Sequence, residues 1–330
     1  MRIQINHGSV CHELNLDGIA QLCGLNIREK TYIFDSLEKY FSKSKYAEFE
    51  KDMIDNVFVQ NEQVGRNYIS VIRIKSREEL LSSLKISKTG LFLEYLKSNV
   101  NSFENQKIFE EVVNKAETLA ISLNTQIEAE IGNMQVGFDW NSLLEILAKL
   151  NVFAADFRAL EVLNNAELMK NYLNLISEMQ KRVPEKRLII FENIDHLLSY
   201  DEFLQAYSKM EDMIRKSDIA FLTSTSLAQF AHITKDNMES IHVLNEELYQ
   251  LPSFEKWEEF IGKKYPCYLE EGIGVEVLRG RIQELGEKLD ILNPKADVIY
   301  KMIGESMGIP MKFIGKLSLP EASYLQESVV

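Results

Sequence analysis

Three short runs, "RLIIFENID", "IAFLTSTS" and "SIHVLN", limit what this chain can fold into more than anything else in it. Each holds a continuous apolar stretch of strand length, and the helix-period segment "DEFLQAYSKMEDMIRK" separates the first two. A strand that is apolar on both faces needs cover on both faces, and such strands alternating with helices form a parallel sheet between helical layers. The amino-terminal region adds "RIQINH", "IAQLC", a helix from Thr31 towards Phe41 and the strand "YISVIRI". From about residue 90 the period changes. Apolar residues recur every three or four positions in "SLLEILAKLNVFAADFRALEVL" and "LMKNYLNLISEMQKRV", which predicts long helices closed by Pro184. The expected organisation is an α/β head over 1–90 and 184–250, a helical insertion over 91–183 and a mostly helical extension over 251–330.

Within the head, "GLNIREKT" (Gly24 to Thr31) stands between a strand and a helix, where a phosphate-binding loop would stand. Gly24, Lys30 and Thr31 are in register with G-x-x-x-x-G-K-[ST], but Glu29 replaces the second glycine. A side chain now lies where backbone should approach phosphate, and its carboxylate repels an anion. The second half of a nucleotide site would be an apolar strand ending in acids. "RLIIFENID" offers Glu192 there, but Asn193 follows where a general base is needed, and Asp195 is displaced by two residues. Three readings stand: an ordinary strand–turn–helix, a degenerate NTPase fold without hydrolysis, and a working ATPase.

The 330 residues carry a formal net charge of −13, which argues against a uniformly basic surface but leaves room for a local one. "VGRNYISVIRIKSR" holds four basic residues and no acid, and in "VIRIKSR" the cations Arg73, Lys75 and Arg77 alternate with Ile72 and Ile74. A strand with this pattern presents its cations on one face, suited either to phosphate contact or to blunting an exposed edge. "KYFSKSKYA" adds Lys43 and Lys45 nearby. The helical block is acidic: Glu128, Glu130 and Asp139 flank a glycine-containing loop and suit a hard cation such as calcium, while Asp139 serves equally as a helix cap. "DVIYKMIGESMGIPMKFIGKL" reads as helix, turn and helix, with Lys312 and Lys316 on the second, and packing suits it better than base reading. The three cysteines are scattered, so a reducing cytoplasm is expected, and zinc ligation by His7, Cys11, His12 and Cys23 lacks the usual spacing. Neither a secretory signal nor a membrane span is expected.

A phosphate loop without its second glycine, an acidic helical block and the strand "LIIFENID" without a base together resemble one family. It is the CRISPR-associated adaptation proteins of type II-A systems, the Csn-two family in its longer form. "GLNIREKTYIFDSLEKYF" and "KRLIIFENIDHLLSYDEFLQAY" carry the resemblance locally, and the order of elements carries it over residues 1 to about 250. It implies a degenerate P-loop NTPase-like α/β head, an inserted helical leg and a helical carboxyl-terminal extension. It further implies a non-enzymatic homotetrameric ring, held with calcium, that binds double-stranded DNA ends without sequence preference through a lysine-lined hole. Such rings serve antiviral defence during spacer acquisition, alongside the integrase pair and the RNA-guided effector nuclease. On that reading no catalytic residue and no nucleotide are expected, and Lys30 and Thr31 are the remnant of the phosphate loop. DNA contact is expected from Arg73, Lys75 and Arg77, with Lys43, Lys45 and Arg66 behind them. Calcium is expected at Glu128, Glu130 and Asp139, by their position near the head–leg junction. The intact Lys30 and Thr31 keep an ATP-binding switch as the alternative, and a protein-only scaffold is the third.

Overall fold

The computed structural model describes residues 1–42, 45–87, 90–100, 103–130, 134–137, 150–265 and 272–314. The chain divides into two compact units: Met1–Ser76 with the chain from Pro184 onward, and Arg77–Val183. The first unit begins with β1 (Arg2–His7), β2 (Val10–Asn15), β3 (Ile19–Cys23), α1 (Ile27–Tyr40), β4 (Val57–Val59) and β5 (Ser70–Ile74). The second holds α2 (Arg77–Leu84), α3 (Leu91–Val100), α4 (Phe103–Glu130) and α5 (Asn165–Arg182). The chain returns to the first unit with β6 (Arg187–Phe191), α6 (Tyr200–Ile214), β7 (Ile219–Ser224), β8 (Ile241–Leu244) and β9 (Leu248–Gln250). It continues through α7 (Phe254–Lys264), α8 (Ile273–Arg281), β10 (Lys288–Asp290), α9 (Pro294–Ser306) and β11 (Lys312–Ile314).

The expected buried sheet is present. Its six strands run β5-β6-β7-β3-β8-β9, parallel throughout except for the β8–β9 hairpin. Successive side chains of a strand point to opposite faces, and the core obeys that period. Leu22, Leu188, Ile190 and Leu222 pack with Ile33, Phe34 and Leu37 of α1 and with Ile3, Ile5 and Val57 of the antiparallel sheet β2-β1-β4. Cys23, Ile241 and Val243 turn the other way, into a second cluster with Trp257, Leu278, Tyr300 and Ile303. The carboxyl-terminal helices therefore share a core with the sheet.

In the second unit, α5 begins with a capping box between Asn164 and Glu167 and ends at Val183, as Pro184 requires. The unit starts at Arg77, earlier than the change of period near residue 90, because α2 packs on α5. Residues 150–163, read above as the end of a long helix, are not helical. Phe153 bridges Ala159, Phe157 takes φ 61°, and only Leu160–Val162 make a short 3-10 turn. Polar side chains hold this shape: Asp156 accepts from Arg158, Arg158 reaches Glu167, and Arg77 takes the carbonyls of Glu161 and Leu163. The helix–turn–helix reading of the tail is likewise corrected. After α9, Met311 presses on Gly304, where an added Cβ would lie 2.3 Å from Met311 Cγ, and Lys312–Ile314 pair with Lys288–Asp290 as a parallel strand. Lys316 lies outside the described residues.

His242, fully buried in β8, accepts the Asn15 N–H at Nε2 (3.1 Å), and burial holds its pKa down to about 4. Between its ordinary value near 6.5 and that value, only the unfolded chain takes up the proton. This contribution to stability is full above pH 6.5 and falls as the pH drops towards 4. Urea unfolding across that window should therefore show a loss approaching about 1.4 kcal/mol per pH unit from this ring. His242→Gln, which keeps an acceptor for Asn15, should flatten the slope; an unchanged slope would refute the assignment.

Candidate functional site

In an open α/β sheet, ligands gather beyond the carboxyl ends of the strands. There, β3 passes through Gly24–Asn26 into α1. Gly24 adopts φ +103°, and any Cβ would sit 2.1 Å from the Leu244 carbonyl oxygen, so only glycine fits. Asn26 caps α1 by accepting the Glu29 N–H at 3.2 Å. The seat a phosphate would need is occupied by the protein itself. Gly24 N–H donates to Gln283 Oε1 at 2.6 Å, and Leu25 N–H to Asn245 Oδ1 at 2.5 Å. Asn245 Nδ2 in turn donates to the Gln283 and Leu285 carbonyls, and Gln283 Nε2 to Thr225 Oγ1 at 2.9 Å. Both side chains are buried and come from segments far along the chain.

Lys30 is turned inward. Its Nζ donates to the carbonyls of Gly24 (2.8 Å) and Thr225 (3.2 Å), and burial draws its pKa below the ordinary value despite the opposing field of Asp195 and Glu192. Thr31 is half-buried on α1. Glu29 lies beside His7 Nδ1 (2.8 Å) and His12 Nε2 (3.2 Å). Burial would raise its pKa, but the hydrogen bonds to the two histidines outweigh that and hold it low. His7 and His12 thus meet on Glu29 and not on the cysteines: Cys11 is exposed, and burial pushes the Cys23 thiol up to about 11. Among the described residues, no group of three His, Cys, Asp or Glu side chains is placed to hold a metal.

The acid-bearing strand is also neutralised. Glu192 accepts from Arg73 Nε and Nη2 at 2.9 and 2.6 Å, while Asn193 (φ 50°) donates its N–H to Ser224 Oγ. Asp195 accepts from the N–H groups of Ser226 and Leu227 and from the Ser226 hydroxyl.

Arg73 corrects the expected row of cations. Its side chain is only 2% exposed, lies over the Phe34 ring and pairs with Asp35 (2.5 Å), Glu38 (3.0 Å) and Glu192. Helix α1 covers that face of the strand and brings Asp35 and Glu38, one turn apart, onto the guanidinium. Burial opposes its charge, and the Asp35 and Glu192 carboxylates more than offset that. Arg77 hydrogen-bonds Asn165 and two carbonyls within the second unit. Lys75 is exposed and lies 3.4 Å from Glu38. Arg66 and Lys45 are exposed, and Lys43 lies outside the described residues. Glu128 and Glu130 are exposed on the last turn of α4, and Asp139 lies outside the described residues.

Of a second cationic group, the sequence reading named only Arg66. Arg66 precedes β5, Lys186 precedes β6, and Arg215 and Lys216 precede β7, so three adjacent parallel strands bring them to one edge, at their amino ends. Acids share the edge, among them Glu185, which is paired with Arg187, and Asp212, 3.8 Å from Arg215. The available signal was a basic residue shortly before each apolar strand.

Fold and site define a mixed α/β protein whose strand–loop–helix site is filled by its own side chains. The chain belongs to the family described as CRISPR-associated protein Csn2, subfamily St, whose model matches residues 7–274, and so to the proteins of CRISPR adaptation and defence. The crystal structure of Stu0660 of Streptococcus thermophilus has a similar fold, with TM-score 0.83 and 22% identity over 98% of this chain and 99% of that one. Two looser likenesses are the SmcHead bound to the C-winged helix domain of ScpA (TM-score 0.43, 10% identity, 78% of this chain and 98% of that one) and a nucleotide-free ATP-binding cassette from an ABC transporter (0.38, 12%, 82% and 100%). No curated protein matches.

Two stability predictions follow from these contacts. Gln283→Ala leaves the Gly24 N–H and the Thr225 hydroxyl without their partner and should cost about 1–3 kcal/mol in urea unfolding. Arg73→Met takes the cation from the largely buried Glu192 and from Asp35 and should cost about 3 kcal/mol, whereas Lys75→Ala should cost under about 1 kcal/mol. Equal costs for Arg73 and Lys75 would contradict the buried network.

Proposed function

We propose that this protein is a non-catalytic, sequence-independent double-stranded DNA end-binding ring of CRISPR spacer acquisition, working as a homotetramer. The single observation that carries the non-catalytic reading is the filled phosphate seat. Nucleotide would have to displace Gln283 and Asn245 from the Gly24 and Leu25 amides and draw Lys30 off two carbonyls. The α/β unit is on this reading a degenerate P-loop-like head. Its helical unit, Arg77–Val183, is the leg, and the integrase pair and the RNA-guided effector nuclease are its partners.

Phosphate contacts fall to the exposed cations Arg66, Lys216, Lys45 and Lys75 and to the half-buried Lys186, and not to Arg73. Their arrangement at strand ends suits backbone contact without base reading. A net charge of −13 restricts DNA to such a local surface, and a ring that gathers several copies of it focuses the potential inward. Calcium fits Glu128 and Glu130, because carboxylates at the negative end of the α4 dipole gain from a hard cation beside them.

Gel shifts of the purified protein on linear and closed-circular duplex of one sequence, with calcium or with chelator and without nucleotide, test this. The linear form should shift, more strongly with calcium, and the closed circle should not. Binding should weaken steeply with salt, and Arg66→Glu with Lys186→Glu should weaken it further. No shift on either form would overturn the reading.

A further inference from the structure

Beside the first strand of the large sheet lies a cavity of about 370 Å3, lined by Arg66, Asn67, Tyr68, Ser70, Glu185 and Lys186 among others. That volume falls within the range of small-ligand sites, about 300–1,000 Å3. Its lining combines an aromatic face with cations. Tyr68 is 42% exposed, and Lys186 Nζ stands 4.9 Å from the centre of its ring. Arg66, exposed, lies over the Tyr46 ring at 4.8 Å. The lining is held in place. Tyr68 N–H closes a turn onto the Gly65 carbonyl (2.9 Å), and Ser70 N–H donates to the Lys186 carbonyl (2.9 Å), where the β5–β6 ladder begins. The buried Ile69 anchors the turn from below, and Tyr40 Oη holds its other end through the Val64 carbonyl (2.6 Å). The one carboxylate, Glu185, is engaged by Arg187.

We propose that this cavity seats one unpaired nucleotide at a DNA end, its base stacked on Tyr68 and its phosphate between Lys186 and Arg66. The inference rests on the DNA reading above and deepens it. An aromatic face flanked by cations is the chemistry of single-stranded nucleic-acid binding, where each stacked base contributes independently of its identity. A base inside a duplex has both faces covered and a terminal pair offers only its outer face on a two-base platform, whereas a base that has left the stack can enter the cavity and lie on the Tyr68 ring. Asn67 adds an amide able to hydrogen-bond a base edge. The site therefore selects frayed or tailed ends over blunt ones.

The test is fluorescence anisotropy with three fluorescein-labelled probes: a blunt duplex, the same duplex with a short oligothymidine tail, and the oligothymidine alone. The wild-type protein should bind the tailed duplex more tightly than the blunt one. Tyr68→Ala should lower the tailed-to-blunt affinity ratio on the order of tenfold, the effect of one base on one ring, and should weaken oligothymidine binding similarly. Tyr68→Phe should preserve both, since the ring and not the hydroxyl carries the contact. Equal affinity for tailed and blunt duplex, a ratio unmoved by Tyr68→Ala, or equal losses for the alanine and phenylalanine variants would overturn the site. Failure of the blunt duplex alone to bind would count against the duplex-clamp reading instead. The oligothymidine arm would then decide the nucleotide seat by itself.

Discussion

The amide of Gly24 meets the side chain of Gln283 across 259 residues of sequence, and the character of the molecule depends on that contact. Gly24 has no Cβ because the Leu244 backbone lies against it, and this closeness brings Asn245 to the Leu25 amide. Asn245 then ties the carbonyls of Gln283 and Leu285 to the same point. A phosphate loop needs free amides and an outward lysine. Here the amides are engaged by neutral amide groups and the lysine is folded back onto carbonyls, so the arrangement that would hold an anion holds the carboxyl-terminal region to the sheet. Since Cys23, Ile241 and Val243 of the sheet share a cluster with Trp257, Leu278 and Tyr300, polar closure and apolar packing support each other.

The acids of the site follow the same logic. A strand-end glutamate left buried without a cation would be costly. Glu192 has its cation in Arg73, which α1 also supplies with Asp35 and Glu38. The guanidinium is thus the centre of a local charge balance and not a hand held out to DNA. Glu29, the residue that disqualifies the loop, has two histidines for company, with the His7 ring stacked on Tyr32 at 3.7 Å between centroids. Glu192 and Glu29 are thus both answered by side chains of the protein itself.

Much of the fold was legible because it rests on local periods. The apolar strands, α1, α5, α6 and the stop at Pro184 were all marked by spacing and by proline. The cation row failed because alternation shows which residues share a face and not what covers that face, and α1 was already there. The helix across 150–163 failed because Asp156, Arg158 and Arg77 hold the backbone in another shape, and the apolar spacing was silent about them. The loop's departure from the phosphate-binding pattern was visible in Glu29. What fills it was not, since Asn245 and Gln283 carry no local signature and reach the loop only through the tertiary fold.

The two ends of the large sheet now stand in contrast. In proteins of this architecture the carboxyl ends of the strands are where ligands bind. Here, at those ends, the Gly24 and Leu25 amides are engaged by Gln283 and Asn245, and Lys30 by two carbonyls. The amino ends of β5, β6 and β7 carry Arg66, Lys186, Arg215 and Lys216 beside a cavity of about 370 Å3 with an exposed tyrosine. A binding surface made of strand-end residues gains when its cations are placed before the ligand arrives, and here the parallel β5–β6 and β6–β7 ladders place them. On the proposed function, the engaged loop at one end and the phosphate-contacting edge at the other are two features of one sheet.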